Sequence, residues 1–194
     1  MDIQFFHLNK NKNKKILLLN GLFSSSGYWL SHISQLKNYH LIIPNIDYVI
    51  FLKDIKKSLP ILIDKVHKIT NIDNVISHSL GTVLAKTLEM DSNFINICPI
   101  HQISLTNKAS FISDIAKRSK LDCRQINFTI NNASNLFEKM PIHDSGNSEV
   151  NLYPTDDIYF NYKIEPSKNN IIFMGDHFDI SNAFQKIYTK DLIK

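Results

Sequence analysis

Ser79 stands in the stretch VISHSLGTVLA, between an apolar run that ends in a turn and a second run with helical spacing, with the small residues Ser77 and Gly81 two positions to either side. A serine at such a junction commonly caps the helix that follows. It can also be a nucleophile held on a tight strand-to-helix turn. In that case an imidazole must take the hydroxyl proton, and a carboxylate must fix the imidazole tautomer and stabilise its positive charge. Later apolar runs supply both: VNLYP is followed by TDD, with Asp156 and Asp157, and NIIFMG runs into DHF, with His177. A serine, a carboxylate and a histidine thus follow three separate runs in the chain order Ser79, Asp156 or Asp157, His177. The consecutive trio His143, Asp144 and Ser145 is a decoy, because three adjacent residues do not converge on one proton-transfer line.

Those runs must be strands if the residues after them are to meet. KILLLNG (15–21), HLIIP (40–44), NVIS (74–77), FINICPI (94–100), VNLYP (150–154) and NIIFMG (170–175) are short and continuously apolar, as strands buried on both faces are. Between them lie stretches with helical spacing: 24–39 around Trp29, Ile33 and Leu36; 51–69, where Pro60 marks a start or a break; 80–90; and the terminal 178–193. This alternation predicts a single α/β domain over residues 1–194 with a mainly parallel sheet flanked by helices. In such a sheet, ligands bind beyond the carboxyl ends of the strands, where NGLFSS, SHSLG, TDD and DHF fall. Residues 101–148 break the rhythm. Helical fragments such as FISDIAKR and ASNLFEKM read there as a cap-like insertion, either covering a site or simply packed.

The set of loops resembles the α/β-hydrolase superfamily. SHSLG is similar to its G-x-S-x-G nucleophile elbow, NGLF to the oxyanion loop and GDHF to the terminal Gly-x-His loop, and the order Ser, Asp, His is that of the family. Gly81 meets the elbow's demand for a small residue, whereas Ser77 replaces the usual first glycine. The resemblance implies Ser79 as nucleophile, His177 as base and Asp157 as acid. Asp156 remains the alternative acid, and the aspartate that is not used would cap a helix near Ile158. The oxyanion donors would be the backbone N–H groups of Leu80 and of Leu22 or Phe23. His78 would point away from the site.

In size and in the step DIYF the chain is similar to the retinoblastoma-binding-protein-nine-type serine hydrolases. That implies a carboxylesterase or thioesterase working through an acyl-enzyme on Ser79. Esterases of the superfamily directed at acyl carrier proteins suggest a carrier-bound acyl group as another substrate form. A non-catalytic member used as a binding or scaffold module is the rival, supported by Ser77 and the short chain.

Composition narrows the remaining classes. Hydrophobic residues at 43% and aromatics at 10% require a packed core, which 194 residues are enough to build. Cys98 and Cys123 show neither disulfide nor zinc spacing. No cofactor motif follows a strand, so no cofactor or metal is expected. The net charge of +4 comes from scattered lysines without the aromatic interleaving of a nucleic-acid surface. No run reaches membrane-span length and the N-terminus lacks the order of a secretory signal, so a cytoplasmic location is expected. On that reading, the glycosylation patterns at Asn127 and Asn132 are chance.

Overall fold

The computed structural model describes residues 2–100, 105–139, 149–162, 164 and 167–194. The decoy trio at 143–145 and parts of the 101–148 insertion lie outside them.

Seven strands form one sheet: β1 (Gln4–Leu8), β2 (Lys15–Leu19), β3 (His40–Asn45), β4 (Asn74–His78), β5 (Asn93–Ile97), β6 (Glu149–Pro154) and β7 (Asn170–Phe173). Their order is β1-β3-β2-β4-β5-β6-β7. All neighbours are parallel except β1, which runs antiparallel along β3. The mainly parallel α/β sheet expected from the sequence is therefore present, with β1 an addition.

The continuous apolar runs are explained by two cores. On β2, Ile16 and Leu18 face one cluster with Trp29, Phe173 and Phe184, while Leu17 and Leu19 face the other with Phe51, Leu62 and Leu84. Alternate side chains of one strand are thus buried on opposite faces, which demands apolar residues at every position.

The helices are α1 (Tyr48–Lys53), α2 (Ile55–His67), α3 (Leu80–Lys86), α4 (Lys108–Arg118), α5 (Cys123–Lys139) and α6 (Ser181–Thr189). Several boundaries differ from the sequence reading. The segment Ser26–Leu36 has 3₁₀ rather than α geometry. The stretch 51–69 is divided at Asp54, not at Pro60, which sits inside α2. There Asp47 caps α1 by accepting from the N–H groups of Val49 and Ile50. The two helical fragments in the insertion belong to α4 and α5, whose Phe111, Ile115, Ile126 and Ile130 join the same core as α1 to α3.

A polar ladder crosses half of this sheet. Ser77, Asn96, Asn151 and Asn170 lie at paired register on β4, β5, β6 and β7. The Ser77 hydroxyl donates to Asn96 Oδ1 at 2.6 Å, Asn96 Nδ2 donates to Asn151 Oδ1 at 3.0 Å, and Asn151 Nδ2 donates to Asn170 Oδ1 at 3.4 Å. Asn96 Nδ2 also reaches Glu149 Oε1 at 2.7 Å, so the buried amide of Asn96 has partners on both sides.

Candidate active site

Ser79 follows β4 directly and precedes the first residue of α3, with φ 52° and ψ −121°. A serine held at positive φ is strained, and the strain is supported on both sides. Its N–H donates to Ile97 C=O at 3.0 Å, and its own C=O accepts from the Thr82 N–H and hydroxyl at 2.9 and 2.6 Å. The side chain makes no capping bond to α3, so the capping role is not the one it fills.

The small neighbours answer to the tightness of this turn. A Cβ on Gly81 would collide with the carbonyls of Leu19 and Asn20, and one on Gly21 would stand 2.8 Å from Ser79 Cβ. At position 77, where the resemblance leads one to expect glycine, the serine side chain turns into the sheet and is satisfied by Asn96.

Ser79 Oγ lies 2.8 Å from His177 Nε2, and His177 Nδ1 lies 2.8 Å from Asp157 Oδ2. These three groups come from the ends of β4, β6 and β7, at one edge of the sheet. Asp156 is exposed and accepts from the Thr155 hydroxyl at 2.8 Å, so it has no contact with the imidazole. The local capping expected of the unused aspartate falls instead to Asp157, whose Oδ1 accepts from the N–H groups of Tyr159 and Phe160 at 2.8 and 3.1 Å. One carboxylate thus ties its own loop with one oxygen and faces the imidazole with the other. Burial alone would raise the Asp157 pKa, but the hydrogen bond and charge of His177, together with donors from Tyr162 and Tyr159, hold it below the ordinary value.

His78 does not point away from the site. Its Nε2–H donates to the backbone C=O of His177 at 2.8 Å, its ring lies 5.2 Å from the His177 ring, and Tyr28 stacks on it at 5.0 Å. It braces the loop that carries the imidazole. Burial, reinforced by the proximity of His177, pushes its pKa down to about 3, which keeps it neutral.

Leu22 and Leu80 border the same small cavity as Ser79. Leu80 opens α3, so its N–H belongs to the helix end that has no intrahelical acceptor. Leu22 lies in a turn closed by Ser24 N–H on Gly21 C=O at 3.2 Å, with Phe23 at φ 64°. The loop is held further by Tyr48, whose hydroxyl donates to the Asn20 carbonyl, and by the Asn20 amide, which donates to the Ser24 carbonyl.

The cavity measures about 10 Å³ and is walled mostly by apolar side chains, among them Ile100, Phe111, Ile130, Phe160 and Phe178. That is room for about one water molecule. Phe160 stacks on the His177 ring at 4.5 Å and Phe178 meets it edge-on at 5.4 Å. Above them, Arg118 of α4 lies 4.6 Å from the Phe178 ring centre, and Asp114 of α4 accepts from the Tyr159 hydroxyl at 2.6 Å. Sequence reasoning missed Tyr162, Tyr48, Arg118 and Asp114. Only their tertiary placement brings them here, and no spacing signals it.

Among the described residues, His78, Cys98 and His177 offer ligand atoms within 4.8 Å of one another. Both ring nitrogens of His177 already serve Ser79 and Asp157, so this cluster is explained without a metal. No helix of the described residues is long and apolar enough to cross a membrane.

No protein-family model matches the sequence, and no curated protein matches it. Similar solved structures include an alpha/beta superfamily hydrolase from Oenococcus oeni PSU-1 (TM-score 0.60, 14% identity, 99% of this chain and 97% of that one). Another is the enol-lactonase from Burkholderia xenovorans LB400 (0.65, 11%, 99% and 96%). A third is a thermophilic esterase from Thermogutta terrifontis (0.62, 10%, 99% and 94%). At these identities the likeness concerns the fold. The chain has the α/β-hydrolase fold along nearly its whole length.

Proposed function

We propose that this protein is a serine hydrolase that cleaves an acyl ester or thioester through an acyl-enzyme on Ser79. One observation carries the reading: a hydroxyl, an imidazole and a carboxylate stand in a single hydrogen-bonded line with 2.8 Å at each junction, at the sheet edge where this architecture binds ligands.

In the proposed reaction, Ser79 Oγ attacks the acyl carbon as His177 Nε2 takes its proton. Asp157 holds Nδ1–H and stabilises the imidazolium. The N–H groups of Leu80 and Leu22 receive the negative charge on the carbonyl oxygen. The imidazolium then gives its proton to the departing alkoxide or thiolate, leaving the acyl group on Ser79. A water molecule, deprotonated by the same imidazole, adds to the acyl-enzyme. Collapse releases the carboxylic acid and returns the proton to Ser79.

The apolar wall of the cavity supports an uncharged acyl group. Its small size favours a short one. The substrate arrives either as a small ester or on an acidic acyl carrier protein that the net charge of +4 would attract. A cytoplasmic setting belongs to the same proposal.

The test is labelling by a fluorophosphonate probe together with turnover of p-nitrophenyl acetate. Labelling and turnover that vanish in Ser79→Ala support the enzyme. Equal labelling of wild type and variant, or none in either, favours a non-catalytic use of the fold. Hydrolysis of acetyl to octanoyl groups, free and carrier-bound, separates the substrate forms.

A further inference from the structure

The line from Ser79 to Asp157 has a further member. Tyr162 hydroxyl lies 2.6 Å from Asp157 Oδ2, the same oxygen that faces His177, and 3.1 Å from His177 Nδ1. The phenol has one proton and two neighbours to choose between. His177 Nδ1 presents its own N–H to Asp157 and cannot accept a second proton, so the phenol donates to the carboxylate. On its other side the phenol meets the thiol of Cys98, a fully buried residue just past β5. Burial holds both Tyr162 and Cys98 well above their ordinary ranges, so each keeps its proton as a donor.

We infer that Tyr162 is a positioning residue for the proposed hydrolysis, sharing Asp157 Oδ2 with His177 and thereby setting both the aim and the strength of the imidazole base. The inference rests on the serine-hydrolase reading. With Tyr159 and Phe160 N–H groups on Oδ1 and Tyr162 and His177 on Oδ2, the carboxylate has four donors, and its rotation is fixed. The phenol also draws off part of the negative charge that would otherwise stabilise the imidazolium. Removing it makes Asp157 a stronger partner and His177 a stronger base, at the cost of a looser carboxylate.

The other ionisable groups around His177 do not supply this function. His78 binds its carbonyl rather than its ring, and Asp176 on its own loop is engaged with the N–H groups of Phe178 and Asp179. Arg118 is separated from it by the Phe178 ring.

The test is the pH profile of kcat/KM for p-nitrophenyl acetate in Tyr162→Phe. The acid limb is expected to move up by about one pH unit while KM holds and the plateau of kcat falls. Tyr159→Phe, whose hydroxyl serves Asp114, is expected to leave the limb in place. Replacing Tyr162 alone with 3-fluorotyrosine, a stronger donor of nearly the same shape, is expected to move the limb the opposite way. This second substitution also tests the idea if Tyr162→Phe folds poorly. An unmoved limb in either substitution, whatever happens to the plateau, overturns the inference. If Ser79→Ala retains full activity, it is the hydrolase reading that fails, and the two failures are thereby distinguished.

Discussion

Replacing Asp157 with asparagine changes one atom's chemistry in a site where the geometry assigns every hydrogen bond. The new side-chain oxygen can keep the backbone donors of Tyr159 and Phe160, because both lie on Oδ1. The amide nitrogen must then face His177 Nδ1 and the Tyr162 hydroxyl, where the carboxylate accepted from both. To avoid two opposed donors, His177 moves its proton to Nε2, and the nitrogen facing Ser79 Oγ then has no lone pair for the incoming proton. A wrong tautomer of this kind costs about 10⁴ in turnover, or about 5.5 kcal/mol at 1.36 kcal/mol per decade. Separately from turnover, folding stability falls by roughly 1.5–3 kcal/mol for each of the two charge-assisted bonds to Oδ2 that is lost. Asp156→Asn, altering an exposed group whose side chain accepts from Thr155, is expected to stay within twofold of wild type. The assay is steady-state hydrolysis of a p-nitrophenyl ester, with circular dichroism to verify folding. A folded Asp157→Asn protein with more than a tenth of wild-type kcat refutes the reasoning, as does an equal loss in Asp156→Asn.

The double variant Ser79→Ala/His177→Ala should be hardly slower than either single variant, because the two groups act as one unit; multiplicative losses of kcat/KM would contradict this. Phe111→Leu should open the acyl cavity and raise the ratio of octanoyl to acetyl kcat/KM by about tenfold, and an unchanged ratio across a chain-length series would show that Phe111 does not limit it. Acid should weaken the fold through His78, whose pKa is about 3 when folded and about 6.5 when unfolded. The unfolded chain binds the extra proton first, so the contribution is fully present above about pH 6.5 and is lost as pH falls towards 3. Between pH 6.5 and 5 this amounts to up to about 2 kcal/mol. Urea midpoints at the two pH values, in wild type and His78→Gln, measure it, and an equal drop in both would rule out His78 as the source.

The strands were legible where burial is two-sided. Ile16 to Leu19 and Val75 to Ile76 have no solvent face, and the run of apolar residues records that. β1 was not legible, because QFFHL lies at a sheet edge with exposed and half-buried positions, and its pairing depends on β3. α5 was half hidden. Its buried Ile126, Ile130, Ala133 and Leu136 keep helical intervals, but the asparagines and β-branched residues between them blur the period.

At the candidate site, Ser79 and His177 were visible because each follows a strand and each has a glycine nearby. The adjacent aspartates were harder to separate, since consecutive carboxylates point in different directions and only the path of the chain after Pro154 decides which one turns inward. Tyr162 had no local signal at all. Its hydroxyl matters only because the chain after Phe160 returns beneath the imidazole, a consequence of folding over a distance that pattern reading does not span.

The amide and hydroxyl rungs through Ser77, Asn96, Asn151 and Asn170 have a consequence for the sheet edge above them. A two-residue slip of apolar strands buried on both faces would keep apolar side chains against both cores, so only the fit of their shapes opposes it. Hydrogen-bonding side chains oppose it more sharply, because a displaced Asn96 amide would lose its mates in a buried position, and Asn151 and Asn170 carry the ladder on from half-buried positions. The rungs therefore act as a spirit level laid across four strands, and the loops bearing the hydroxyl, the carboxylate and the imidazole all take off from a shared datum.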